Sequence, residues 1–263
     1  MNIILNGPGR SGTTLISKFL SHQKDLAWIS GWVNRYPNIP QLSFLNFLYR
    51  KKIFGYDFSE VSKFPKPAEA YHFWKFYVRD FYSGYEPSEE ELLRLKKAIE
   101  IIISWQNKNH FITKVTGDLR ENIFSKVFPV YKLIWIERDP RVVVSSYMKQ
   151  RWFYKEKLED FNKMSKKEKI KFYSDYYMKI FNQSKPDDCV IVFYEDLCDD
   201  PIKFFESLLL KLNLEFTEDH SKRIIQKNIK KIDWSFYEKK YSDDEVKLLN
   251  KLLYEPLNKY GYI

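Results

Sequence analysis

The feature that most constrains this chain is a glycine-rich turn close to its start. Ile3-Ile4-Leu5 is a short apolar run that reads as a buried strand. It leads into Gly7-Pro8-Gly9-Arg10-Ser11-Gly12-Thr13-Thr14, where three of the chain's 8 glycines fall within six positions. Leu15-Ile16-Ser17-Lys18-Phe19-Leu20 follows with helical apolar spacing. A strand, a glycine turn and a helix N-terminus in that order make a phosphate cradle. Glycine admits close backbone approach, and the N–H groups of the first helical turn face the anion. A plain surface turn would explain the glycines, but not an Arg, a Ser and two Thr converging on one helix start.

The loop is close to the nucleotide-binding pattern G-x-x-x-x-G-K-[ST] without matching it. Gly7 and Gly12 have the spacing, and Thr14 holds the hydroxyl position. Thr13 stands where the lysine belongs, and the nearby cation is Arg10, inside the loop. That lysine reaches the β/γ-phosphates of a nucleoside triphosphate, so its absence argues against ordinary ATP or GTP chemistry.

With 263 residues, 44% of them hydrophobic, the chain can bury one substantial core, and two small domains would be a stretch. No apolar run has the length of a membrane span, and no secretory leader precedes the first strand, which points to a cytoplasmic protein or to a catalytic domain of a longer one. Cys189 and Cys198 have neither redox nor metal spacing, and the four histidines are scattered, so no metal site is expected. The formal charge of +9 is spread over lysine-rich segments such as Lys163–Lys169, interrupted by acidic residues. That pattern reads as solvated helix faces and not as a nucleic-acid surface; an anionic cofactor or an acidic glycan would use only part of it.

Strand and helix signals alternate along the chain. Strands are expected at Asp25–Ser30, Phe111–Val115, Lys132–Glu137 and Val190–Phe193. Helices are expected at Gln41–Arg50, Glu69–Tyr82, Leu119–Val127, after the capping boxes at Ser88, Ser165 and Ser242, and after Asp139-Pro140, Asp200-Pro201 and Thr217. Trp32–Pro37 and Gly55–Ala68 read as loops. Alternation of this kind predicts an α/β protein, a three-layer P-loop-type fold with a central parallel sheet flanked by helices. Ligands of such sheets bind at the carboxyl ends of the strands. Three of those ends carry charged or hydroxyl groups: Gly7–Thr14, Glu137-Arg138-Asp139 and Tyr194-Glu195-Asp196.

Arg138 follows an apolar strand, and Ser146 lies eight residues on in the helix opened by Pro140. An Arg fork and a Ser hydroxyl can together hold a second phosphate. Equally, Arg138 can pair with Asp139 or Glu137 while Ser146 bonds back to its own helix.

Three segments in register resemble the sulfotransferase superfamily. Gly9-Arg10-Ser11-Gly12-Thr13-Thr14-Leu15 looks like its 5′-phosphosulfate loop, in the Arg form of carbohydrate and tyrosylprotein sulfotransferases. Ile136–Tyr147 looks like its 3′-phosphate motif, with matching Arg-to-Ser spacing, and Phe193-Tyr194-Glu195-Asp196-Leu197 with Asp200-Pro201 is similar to its Tyr-Glu-Asp-Leu segment. The resemblance covers roughly residues 1–25 and 110–215, leaving an aromatic helical insertion at about 31–108 inside a single domain spanning 1–263.

The resemblance implies the donor 3′-phosphoadenosine 5′-phosphosulfate (PAPS), the product adenosine 3′,5′-bisphosphate and no obligatory metal. It implies that Gly9, Arg10, Ser11, Gly12, Thr13, Thr14, Arg138, Ser146 and Tyr194 bind the nucleotide. Arg10 would also stabilise the transferring group, and Lys114 resembles a lysine placed before the acceptor site. Related enzymes take their general base from a Glu soon after the first helix or a His shortly after that lysine. This chain has neither, and Thr116 stands near the His position. The candidates are Glu69, Asp118 and His72, with Glu69 preferred. A Glu beside a helix start is also favoured by the helix dipole alone. The acceptor is a hydroxyl compound, and the Arg-type loop tilts it toward a carbohydrate or glycolipid. Trp28, Trp32, Tyr36, Tyr71, Phe73 and Trp74 are available either for stacking on it or for the core. A small-molecule P-loop kinase and a catalytically inactive nucleotide-binding protein are the competing expectations.

Overall fold

The computed structural model describes residues 1–50, 52–53, 56–57, 65–150, 158–229 and 239–263. β1 (Asn2–Asn6) runs through the glycine turn into α1 (Thr13–Leu20), and β2 (Leu26–Trp28) follows. The stretch expected as a loop at Trp32–Pro37 is largely a helix, α2 (Gly31–Arg35). Ser30 caps it, its hydroxyl accepting from Val33 N at 3.3 Å, and Pro37 and Pro40 lie beyond its end, where they do not oppose it. The helix expected from Gln41 is 3₁₀ over Pro40–Arg50. A short hairpin, β3 (Lys52–Ile53) and β4 (Tyr56–Asp57), overlaps the stretch read as a loop at Gly55–Ala68, of which 55 and 58–64 lie outside the described residues. α3 (Tyr71–Tyr77) is shorter than the aromatic pattern suggests, because Val78 turns extended.

The remaining elements follow the capping signals. α4 (Glu89–Trp105) starts on the Ser88–Glu91 capping box, and β5 (His110–Lys114), α5 (Glu121–Val127) and β6 (Tyr131–Glu137) come next. α6 (Pro140–Tyr147) has Asp139 as N-cap, its carboxylate accepting from Arg141 N at 2.9 Å. After α7 (Leu158–Lys163), α8 (Lys166–Phe181) begins on its Ser165–Glu168 capping box. The chain closes with β7 (Val190–Phe193), α9 (Tyr194–Asp199), α10 (Pro201–Lys211), α11 (Glu218–Lys227), α12 (Asp243–Leu252) and α13 (Tyr254–Lys259).

The five longer strands form the expected central parallel sheet flanked by helices, in the order β2-β5-β1-β6-β7. Ile3, Ile4 and Leu5 have no exposed surface, as a parallel strand covered on both faces requires. From β1 the chain crosses first to one side, to β2, and later to the other, to β6. In open α/β sheets that reversal marks the ligand-binding end, and the glycine turn leaves β1 there.

The chain divides into two compact units. The first comprises Met1–Gly7, Thr13–Trp135 and Pro186–Val190; the second comprises Pro8–Gly12, Ile136–Lys185 and Ile191–Ile263. In the first, the Trp74 ring stacks on Phe81 at 5.2 Å and meets Phe124 edge-on at 5.5 Å. In the second, Val142–Val144 and Tyr147 pack with Tyr173, Tyr177, Leu249 and Leu253. Among the described residues no helix is long and apolar enough to cross a membrane.

Candidate active site

In the second unit the turn is closed by Ser11 N donating to Pro8 O at 3.2 Å. Arg10 has φ 69°, a left-handed conformation that costs a side-chain-bearing residue of order 1–2 kcal/mol. Two contacts hold it there. Its Nε donates to Ser146 Oγ at 3.1 Å, and its carbonyl accepts from Arg138 Nη1 at 3.0 Å. The two motif halves, 128 residues apart for the Arg138 bond, are thus joined directly. Ser11 is buried, and its hydroxyl has no hydrogen-bond partner among the described residues.

Both acidic neighbours of Arg138 have other partners. Asp139 is engaged by Arg141, whose Nη2 lies 2.8 Å from Oδ2 in a buried ion pair. Glu137 accepts from the Tyr177 hydroxyl at 3.2 Å and the Tyr260 hydroxyl at 2.9 Å. Arg138 lies over the Tyr194 ring at 4.6 Å, a cation–π contact. Burial pushes its guanidinium below the ordinary value, while Tyr194 and Glu195 push it back up. Glu195 fixes the start of α6 by accepting from Asp139 N at 2.9 Å, and burial raises its carboxyl above the usual range.

Tyr194 also explains Gly12. That residue has φ +100°, and a Cβ there would fall 2.1 Å from Tyr194 Cδ2. Gly12→Ala is therefore expected to displace the ring and strain the loop, weakening nucleotide binding by about tenfold or more. Calorimetric titration checks this; unchanged affinity would show that loop and ring move freely. Gly9 faces Tyr147, where an added Cβ would meet Cε1 at 3.3 Å.

A second cluster lies in the first unit. Lys114, the last residue of β5, is 8% exposed and so is no solvated strand-end lysine. Its Nζ donates to Thr14 Oγ1 at 3.0 Å and lies 3.7 Å from Glu69 Oε1. Burial pushes this amine below the usual lysine value, opposed by Glu69. The Thr116 hydroxyl donates to the same Glu69 oxygen at 2.5 Å. Glu69 does not serve as the cap of α3. Ala70, left-handed at φ 60°, separates it from the helix, and Asn34 Oδ1 takes the first N–H groups, from His72 at 2.9 Å and Phe73 at 3.1 Å. The dipole reading of Glu69 is thereby replaced by a carboxylate turned to Lys114 and Thr116.

The loop after Lys114 is pinned by Arg120, which donates to the Asp118 and Thr116 carbonyls and packs over Phe81 at 4.8 Å. The Tyr71 hydroxyl donates to the Thr116 carbonyl at 3.1 Å. The Asp118 carbonyl is thus held by Arg120, and His72 is exposed with its main-chain N–H on Asn34. Thr13 is buried at the start of α1, while the Thr14 hydroxyl is taken by Lys114. Tyr71 and Arg120 carry no motif of their own; Thr116 was marked only by standing near a missing His. Of the aromatic candidates for an acceptor surface, Trp28, Phe73 and Trp74 are core residues, whereas Trp32 (40%) and Tyr36 (46%) are exposed.

A family model described as "Sulfotransferase family" matches residues 2–218, including the middle segment that the three motifs leave unassigned. The chain therefore belongs to the sulfotransferase family. It is an enzyme of that class, transferring a sulfuryl group from PAPS to an acceptor. Sulfotransferase STF9 from Mycobacterium avium has a similar fold, with a TM-score of 0.55 and 16% identity over 98% of this chain and 76% of that one. Sulfotransferase STF1 from Mycobacterium tuberculosis H37Rv gives 0.55 and 10% over 95% and 75%. At these identities the likeness is one of fold. No curated protein sequence matches the chain.

Proposed function

We propose that Arg10, Ser11, Gly12, Arg138, Ser146 and Tyr194 form the donor site, and that the acceptor is a carbohydrate or glycolipid hydroxyl. The observation that carries the donor site is the Arg10–Ser146 hydrogen bond of 3.1 Å, which ties the glycine turn to the α6 motif. Two guanidinium groups, the unpartnered Ser11 hydroxyl and the N–H groups of a glycine turn are the donor set that a nucleotide's phosphates require. When bound, the donor supplies an activated sulfuryl group on a phosphate leaving group. Arg138 and Ser146 hold the 3′-phosphate, and Gly9 and Ser11 line the 5′ side through the turn. Arg10 neutralises charge that builds on the leaving oxygen. None of these roles calls for a metal.

Glu69 takes the proton from the attacking hydroxyl. The Thr116 hydroxyl donates to its carboxylate, and the buried Lys114 ammonium lies 3.7 Å from the same oxygen. Exposed Trp32 and Tyr36 offer flat faces for sugar rings. Incubation with radiolabelled donor and a panel of glycans, glycolipids and phenols tests the acceptor. Label is expected on the glycans or glycolipids; label on phenols alone would overturn that class.

Ser146 gives a selective test of the donor assignment. Ser146→Ala is expected to weaken adenosine 3′,5′-bisphosphate about tenfold, the effect of one hydrogen bond to a charged group. Affinity for adenosine 5′-phosphosulfate, which lacks the 3′-phosphate, is expected to fall by less, because only the Arg10 anchor is lost to it. Equal losses for both ligands would show that Ser146 acts on the fold and not on the 3′-phosphate.

A further inference from the structure

In the second unit, Lys166 and Lys169 on α8 line a cavity of about 310 Å³ with Ser145, Lys149, Lys240 and Tyr241. Its walls are fixed. Lys166 Nζ donates to Lys240 O at 3.0 Å and to Glu245 Oε2 at 2.6 Å, and it lies 4.4 Å from the centre of the Tyr241 ring. Lys169 Nζ sits over the Phe161 ring at 4.2 Å. Tyr241 and Ser145 are both buried.

Glu245 offsets the charge of Lys166, yet four amines around one cavity still outnumber that single carboxylate, and an entering anion would relieve the excess. Lys149 and Lys240 line the cavity from two different chain segments. Partial desolvation and the nearby Lys149 and Lys166 charges push the Lys240 amine below its ordinary value. Ammonium groups converging from three chain segments suit a compact dianion with several oxygens better than a flat carboxylate.

We propose that this cavity binds a tetrahedral oxyanion, either free phosphate or sulfate or a sulfate or phosphate ester on a larger molecule, held by Lys149, Lys166, Lys169 and Lys240. It is separate from the proposed donor site. Ser145 lines it and Ser146 does not, since successive helical residues point about 100° apart. The proposal does not depend on the donor assignment.

The test uses the whole chain, with inorganic sulfate titrated against chloride at constant ionic strength to remove screening. One saturable event is expected in calorimetry. It should persist in Arg138→Ala and weaken about tenfold or more in Lys149→Gln/Lys240→Gln. Loss in Arg138→Ala with no effect of the lysine pair would assign the anion to the donor site and overturn the proposal. Heat equal to that of chloride would overturn it as well. Thermal unfolding gives a second readout that does not need binding. Without sulfate, Lys149→Met should raise the midpoint by about 1 °C or more, because repulsion is relieved; a lowered midpoint contradicts the crowding argument. A sulfated disaccharide run beside inorganic sulfate separates the sources. Tighter binding of the disaccharide identifies an ester-bearing molecule, and equal binding a free anion.

Discussion

Arg10→Ala is expected to lower turnover by on the order of 10²–10³ while adenosine 3′,5′-bisphosphate still binds. The reason is where the structure invests strain. Arg10 keeps an unfavourable left-handed backbone at φ 69°, anchored through its carbonyl by Arg138 and through its side chain by Ser146. Strained residues of this kind persist where surrounding contacts over-determine them, and they cluster at working sites. A guanidinium so held costs little reorganisation when charge develops on the leaving oxygen. With the proposed donor site, product affinity would rest on Arg138, Ser146 and the loop N–H groups as well, so it should suffer less than turnover. Arg10→Lys should recover only part of the rate, because an ammonium lacks the planar fork. Single-turnover measurement of sulfuryl transfer checks this. A variant with normal turnover would remove Arg10 from the transition state.

Glu69→Gln is expected to abolish turnover and leave nucleotide binding intact. General-base catalysis contributes typically about 10²–10⁴-fold, so the residual rate should fall toward the limit of detection. Gln keeps the shape and can still accept from Thr116, so the Thr116 hydrogen bond of 2.5 Å and the fold should survive. Loss of both rate and bisphosphate affinity would point instead to a structural carboxylate. Asp118→Asn tests the other acidic candidate: the substitution keeps the carbonyl that accepts from Arg120, so a loss of turnover with the fold intact would move the general base to the Asp118 carboxylate.

Much of the fold was legible because the capping chemistry is local. Ser88, Asp139, Ser165 and Ser242 each announce a helix start a few residues ahead, and the structure uses all four. The continuous apolar runs at Ile3–Leu5 and Leu133–Ile136 announce buried parallel strands for the same reason. α2 is hidden in the sequence because Pro37 and Pro40 follow it closely, although they lie past the helix end. The proposed donor motifs stand out in the sequence because a phosphate site calls for glycines, an Arg and hydroxyls at set spacings. The surroundings of Glu69 could not. They depend on Ala70 turning left-handed and on Asn34 taking over the cap of α3, a contact across 38 residues that no local pattern records. The lysine cavity was invisible for a similar reason. Lys149, Lys166 and Lys240 are far apart in sequence, and each alone reads as a solvated charge.

The most direct test of the two-phosphate clamp is a paired titration of the whole protein with adenosine 3′,5′-bisphosphate and with ATP. The clamp predicts saturable binding of the bisphosphate, weakened about tenfold or more by Arg138→Ala, and no comparable binding of ATP. Binding of ATP but not of the bisphosphate would contradict it.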